Sequence, residues 1–276
     1  MGTEALVTLT RRQIRHYTKQ EFAKVFNNLL GERLPGCQEQ YIDEESETPN
    51  YVIGSRKQVG MTVYHYARMA PACAIDLAKE HRCVANSLGL DEQNTSAVPD
   101  PVPVGAMHID IVDAASAAHI YQNAKLFVWP AGAEMQAFDI IDNDASDGVD
   151  VRLYLARPVR NVIPAGTFTS IYRNIYSAVA NPADIATNLA PMVGVPQRFV
   201  TAAYYFWLPT WGLVSITQGE ALDGVGGPHV VASPIDGAAW KLVTSVGVPN
   251  SWQRIGRMVA EQTAGIDSGI FLELDP

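Results

Sequence analysis

Several kinds of residue pattern are scarce in this chain, and each shortage excludes something. Cysteine occurs three times, at Cys37, Cys73 and Cys83. The number is odd and the spacing suits neither a disulfide framework nor a zinc site, so these read as reduced, buried thiols. No run approaches about 18 apolar residues, which excludes a transmembrane helix. The N-terminus has no apolar signal core, and Leu6 stands where a myristoylation motif needs Ser or Thr, so the expectation is a product made in the cytoplasm. Charge is also thin. Charged residues make up 18% of the chain, with a net charge of −9, where a nucleic-acid-binding domain would be basic. Catalytic signatures are missing: there is no G-x-S-x-G, no Walker loop, and Gly224, Gly226 and Gly227 lack dinucleotide-site spacing. The expectation is no enzyme and no cofactor.

What is present begins with an aromatic run. Tyr204–Gly212 holds five of the 24 aromatic residues: Tyr204, Tyr205, Phe206, Trp207 and Trp211. Its composition is that of a strand buried on both faces or packed on a neighbouring chain, broken or bulged at Pro209. It is therefore either core or subunit interface. At 276 residues the chain can bury a core without metals or disulfides.

Residues 1–54 read as an arm. Arg11, Arg12, Arg15 and Lys19 form a basic stretch. Thr18 and Glu21 have capping-box spacing, after which Phe22, Val25, Phe26, Leu29 and Leu30 share one helical face, with Gly31 and Pro35 as stop signals. A helix this short needs a docking surface, on its own domain or on a neighbour. Glu39, Asp43, Glu44, Glu45 and Glu47 then read as a solvated acidic linker.

Residues 55–276 read as a β-rich body. Ala-rich residues 71–85 suggest a loop or, over part of the stretch, a short helix, and three prolines make 94–103 an extended linker without regular structure. The alternating segments Gly60–Ala67, Ala106–Val112, Lys125–Trp129, Gln136–Ile141, Val149–Leu155, Thr167–Tyr172, Phe199–Leu208, Leu213–Thr217, His229–Ala232, Trp240–Val243, Arg254–Ala260 and Ile270–Leu274 predict strands. Their turns are Pro130-Ala131-Gly132, Asn143–Gly148 and Pro164-Ala165-Gly166. The predicted fold class is mainly β, an antiparallel sandwich or barrel of jelly-roll type with an N-terminal helical arm.

The remaining candidates for chemistry carry bland readings. Asp142–Gly148 has a calcium-loop look, but Asp147 occupies the position that needs Gly and Leu153 the one that needs a bidentate acid. It reads as a polar turn with at most a weak cation site. His108 and Asp110 share a strand face as a surface pair. Arg152, Arg157 and Arg160 read as surface or inter-subunit ion-pairing residues.

Gly60–Arg68, Lys125–Gly132, Val151–Pro158, Tyr204–Gly212 and Ile255-Gly256-Arg257 together resemble segments of the capsid-associated structural proteins of tailed bacteriophages, of cement, decoration or head-fibre-base type. The resemblance spans about residues 55–276. Ala156 and Arg157 stand where an acid is expected, Phe206 replaces a small residue, and the arm lies outside the shared pattern. The resemblance implies a non-enzymatic cement or decoration subunit on the capsid surface of the virion. Its partners would be the major capsid protein and itself, as a homotrimer, with neither nucleic acid nor membrane. The expected contact residues are Arg11, Arg12, Arg15, Phe22, Val25, Phe26 and Leu29 of the arm and Tyr204, Tyr205, Trp207 and Trp211 of the body. The alternatives are a major capsid protein, against which the lack of a long spine helix counts, a tail component, and a β-barrel enzyme or carbohydrate-binding module using an exposed tryptophan.

Overall fold

The computed structural model describes residues 37–71, 73–76, 81–86, 96–132, 134–184, 190–219, 229–232, 235–242, 252–259 and 267–274. In chain order its strands are β1 (Glu45–Ser46), β2 (Arg56–Val59), β3 (Thr62–Arg68), β4 (Val84–Asn86), β5 (Ser96–Ala97), β6 (His108–Val112), β7 (Lys125–Trp129), β8 (Gln136–Asn143), β9 (Asp150–Leu155), β10 (Phe168–Tyr172), β11 (Val179–Ala180), β12 (Met192–Gly194), β13 (Tyr205–Thr217), β14 (His229–Ala232), β15 (Ala239–Lys241), β16 (Arg254–Met258) and β17 (Asp267–Glu273). The protein is mainly β, and every pairing between these strands is antiparallel. No α-helix occurs among the described residues. The amphipathic helix expected after Thr18 lies outside them.

The strands form three sheets. An eight-stranded sheet runs β15-β14-β16-β17-β13-β3-β2, with β1 added on β13. A three-stranded sheet, β11-β4-β12, covers one face of it. The two share apolar clusters in which Val84, Val179 and Val193 meet Phe206 and Leu208, and Ala85 and Met192 meet Val214 and Ile216. The third sheet, β5-β10-β7-β8-β9-β6, is built wholly from residues 96–172. Its alternating inward residues, among them Ile109, Leu126, Phe138, Leu153 and Ile171, make a separate core of their own. The sheet curls around that core, yet no ladder joins its edge strands β5 and β6, so it is not a closed barrel. The body is thus two units: residues 96–172 are inserted between chain segments that together build the larger sheet.

Turn chemistry follows the sequence. Each of the three turns read above contains a glycine with positive φ, at Gly132, Gly148 and Gly166. The units meet at Ile53, whose carbonyl accepts from Asn123 Nδ2 at 3.1 Å and Asn174 Nδ2 at 3.3 Å.

Four expectations change. The stretch 94–103, expected to lack regular structure, contains β5 paired with β10 and a bridge from Val102 to Ile163. The helix expected over part of 71–85 is not formed at the described residues. Val84–Asn86 is instead the central strand of the small sheet, since pairing on both edges outweighs the modest helix preference of alanine. The two strands expected on either side of Pro209 are one strand, because a bulge between Pro209 and Trp211 absorbs the missing donor. The acidic stretch is not a free linker. Glu39, Asp43, Glu44 and Glu47 are exposed, but Gln40 and Tyr51 are buried and Glu45–Ser46 pairs with Phe206 and Tyr205.

Candidate functional site

Strand β13 has two faces. Phe206, Leu208, Val214 and Ile216 point into the shared core. The first half of the other face is covered by residues 40–51. Trp207 is 2% exposed and packs edge-on to Tyr51 and Tyr66, with ring centroids 4.8 and 5.0 Å away. The Lys57 ammonium lies 5.2 Å from the Trp207 ring. Gln40 completes the cluster. Its amide nitrogen donates to the carbonyls of Glu44 and Tyr205, both at 3.0 Å. Its Oε1 accepts from Tyr66 at 2.6 Å and Asn50 at 3.1 Å, and its backbone carbonyl accepts from Trp207 Nε1 at 3.1 Å. Every polar atom of the Gln40 side chain is thereby satisfied, as burial requires. Trp207, expected as an interface residue, is spent inside its own chain. Tyr204 and Tyr205 are half-buried beside it.

Burial lowers the pKa of Lys57 below 10.5, against the upward pull of Glu39 and Glu44. The unfolded chain therefore holds this proton more tightly than the folded one, and stability rises with pH through the window that ends at 10.5. Relative to Lys57→Met, the wild type should gain in denaturant midpoint as pH climbs from about 8 through that window. A constant difference would contradict the burial assigned to the ammonium.

The second half of the same face is open. Trp211 meets Phe271 edge-on at 5.6 Å, and Leu213 lies opposite Phe271 and is 57% exposed. Met61 and Val59 are exposed on the adjoining hairpin. At the rim, Glu273 is held by Arg254 and Arg257, both at 2.8 Å. An apolar centre with a charged margin is the anatomy of an association surface.

A second apolar surface lies on the outer face of the inserted sheet. Phe168 is 66% and Trp129 43% exposed, and they are directly opposite each other on β10 and β7. Phe127 stacks on Trp129 at 6.1 Å and meets Tyr172 edge-on at 5.4 Å. Sequence reasoning named only Trp129 of this group, among the tryptophans of the carbohydrate-binding alternative, although the signal for its neighbour was there: alternation puts Phe127 and Trp129 opposite the buried Leu126 and Val128.

The polar candidates disperse. His119 Nδ1 contacts Asp142 at 2.8 Å, Tyr154 donates to Asp144 at 2.9 Å, and Asp147 Oδ1 accepts from the backbone of Val149 and Asp150. These carboxylates are engaged separately, as in a polar turn. Among the described residues no three His, Cys, Asp or Glu side chains converge as a metal site. Asp110 is gripped by Arg152 through two bonds of 2.8 and 2.9 Å, which hold its carboxyl below the usual range. None of the three cysteines is in a disulfide; Cys73 and Cys83 are buried, Cys37 is only half-buried, and burial pushes the Cys83 thiol up to about 12. Arg11, Arg12, Arg15, Phe22, Val25, Phe26 and Leu29 lie outside the described residues. No known family, curated protein or solved structure matches the chain.

Proposed function

We propose that this chain is a non-enzymatic structural subunit of a tailed-phage virion, a cement or decoration protein that binds the capsid shell and neighbouring copies of itself. The observation that carries this reading is the open half of the outer face around β13. Trp211, Leu213 and Phe271 form an apolar surface continuous with a face the chain covers elsewhere, and an isolated monomer gains nothing by leaving it wet. We read the layered β body as a jelly-roll-like sandwich and the subunit as a homotrimer joined through this patch. The arm, with Phe22, Phe26 and Leu29, is then the anchor on the major capsid protein.

Two measurements test it. Light scattering should give three times the 30.0 kDa chain mass, and Leu213→Glu should yield monomers that stay folded. Co-sedimentation with shells should succeed for the full chain and weaken about tenfold or more for Phe22→Asp, since burying one Phe is worth about 1.5–3 kcal/mol. The informative truncation removes residues 1–36. A cut at 54 would also remove Gln40 and Tyr51 and uncover Trp207. A monomeric wild type that does not sediment with shells would overturn the proposal.

A further inference from the structure

The aromatic face of the inserted sheet differs from the β13 patch in its electrostatic setting. Residues 96–172 hold nine acidic and four basic side chains, net −5, whereas residues 1–36 hold six basic and three acidic, net +3. On the outer face Phe168, Tyr172, Phe127 and Trp129 occupy β10 and β7; Asp139 on β8 is paired with Lys125 and Asp110 on β6 with Arg152, so the negative excess belongs to the unit as a whole. An apolar strip on a net-negative unit complements the arm, where Arg11, Arg12 and Arg15 precede the apolar positions Phe22, Val25, Phe26 and Leu29. The β13 patch is flanked by Arg254 and Arg257, both paired with Glu273, and has no comparable negative excess. Size agrees as well. Five-residue strands give a strip about 15 Å long, and ten helical residues from Glu21 to Leu30 would measure about 15 Å.

Reach favours the same chain. Cys37 Sγ contacts the Pro49 carbonyl at 3.5 Å. From Pro49 the chain needs four residues, at most about 14 Å, to arrive at Ile53. The Ile53 carbonyl is bonded to Asn123 and Asn174, each two residues from Lys125 and Tyr172 at the end of the aromatic strip. Cys37 therefore lies within roughly 30 Å of that end, and residues 31–36 plus a docked helix span about 35 Å.

We propose that residues 18–30 dock on the aromatic face of their own chain, with Phe22, Phe26 and Leu29 against Phe127, Trp129, Phe168 and Tyr172, and Arg11, Arg12 and Arg15 over the neighbouring carboxylates. This goes beyond the shell-binding reading: the face is the resting place of the arm before it engages any partner.

The test places a photo-crosslinking benzoylphenylalanine at position 26 of the full chain, mixed with isotopically heavy chains and without shells. Light-light cross-links to peptides containing 125–129 or 168–172 are expected. Phe168→Asp should cut them at least about fivefold, because a charged carboxylate replaces the apolar ring that the arm would cover. Phe168 is exposed, so that variant keeps its core, which circular dichroism checks. Light-heavy cross-links would assign the face to a second copy. Capture elsewhere, or none, would leave it for another occupant such as a glycan stacking on Trp129. Each of these outcomes overturns the proposal. Because shells are absent, failure here leaves the shell-binding test untouched.

Discussion

Trp207→Ala should lower the unfolding free energy by about 3–5 kcal/mol, the range for emptying a buried indole site. The size follows from what leans on the ring. Tyr51 and Tyr66 lose their edge-on partner, the Lys57 ammonium loses the ring it faces, and the Gln40 carbonyl loses its indole donor. The damage should not stay local. Residues 40–51 are held by this cluster, by the two-residue pairing of β1 with β13 and by bonds from Thr201 to Glu45 and Arg198 to Asp43, so with the cluster weakened protease cleavage within 40–54 should rise together with the fall in stability. Trp207→Phe separates the contributions. It keeps most of the apolar packing and removes only the bond to Gln40, so it should cost about 1 kcal/mol from that bond plus a small packing loss. Urea unfolding of the three proteins is the measurement. A loss below about 1 kcal/mol for Trp207→Ala would mean that the cluster contributes little to holding residues 40–51.

What the sequence revealed and what it hid divide along a physical line. Strands β7 and β14 were legible to the residue, because Lys125–Trp129 and His229–Ala232 carry their pattern locally. The turns were legible for the same reason: a glycine required at positive φ announces itself. Partnership was not legible. β3 pairs with β13 across some 140 residues, and nothing in Thr62–Arg68 names Tyr205 as opposite Arg68. That long-range pairing is what makes residues 96–172 an insertion. The acidic stretch misled because its charges do face water while a single uncharged residue among them, Gln40, anchors the backbone. The candidate surface was half legible. The aromatic run was visible, but whether each ring faces core, cover or water depends on which segment lies over it. Trp207 is covered by residues 40–51, and Trp211, four residues on, is not.

Gly212→Ala should be as damaging as Trp207→Ala, for an unrelated reason. Gly212 lies inside the long strand at φ +102°, just past the bulge that accommodates Pro209. A Cβ there would come within 2.6 Å of the Met61 carbonyl oxygen and 2.8 Å of the Thr62 Cα. Both neighbours are backbone at the β2–β3 turn, so no side chain can swing away. Strain at positive φ costs about 1–3 kcal/mol and overpacking a further 1–3, for an expected loss of about 3–5 kcal/mol. Gly132→Ala supplies the comparison. Its φ is +73°, but a Cβ there would meet nothing within 4 Å, so only the backbone strain remains, about 1–2 kcal/mol. The difference between the two variants in urea unfolding isolates the close approach of β13 to the hairpin. Equal losses would mean that the hairpin moves aside freely, and the bulge would then not fix where Trp211 and Leu213 sit. A clear excess for Gly212→Ala would mean that the open apolar half of the strand is held rigidly in place, as an association surface must be if binding is not to cost its ordering.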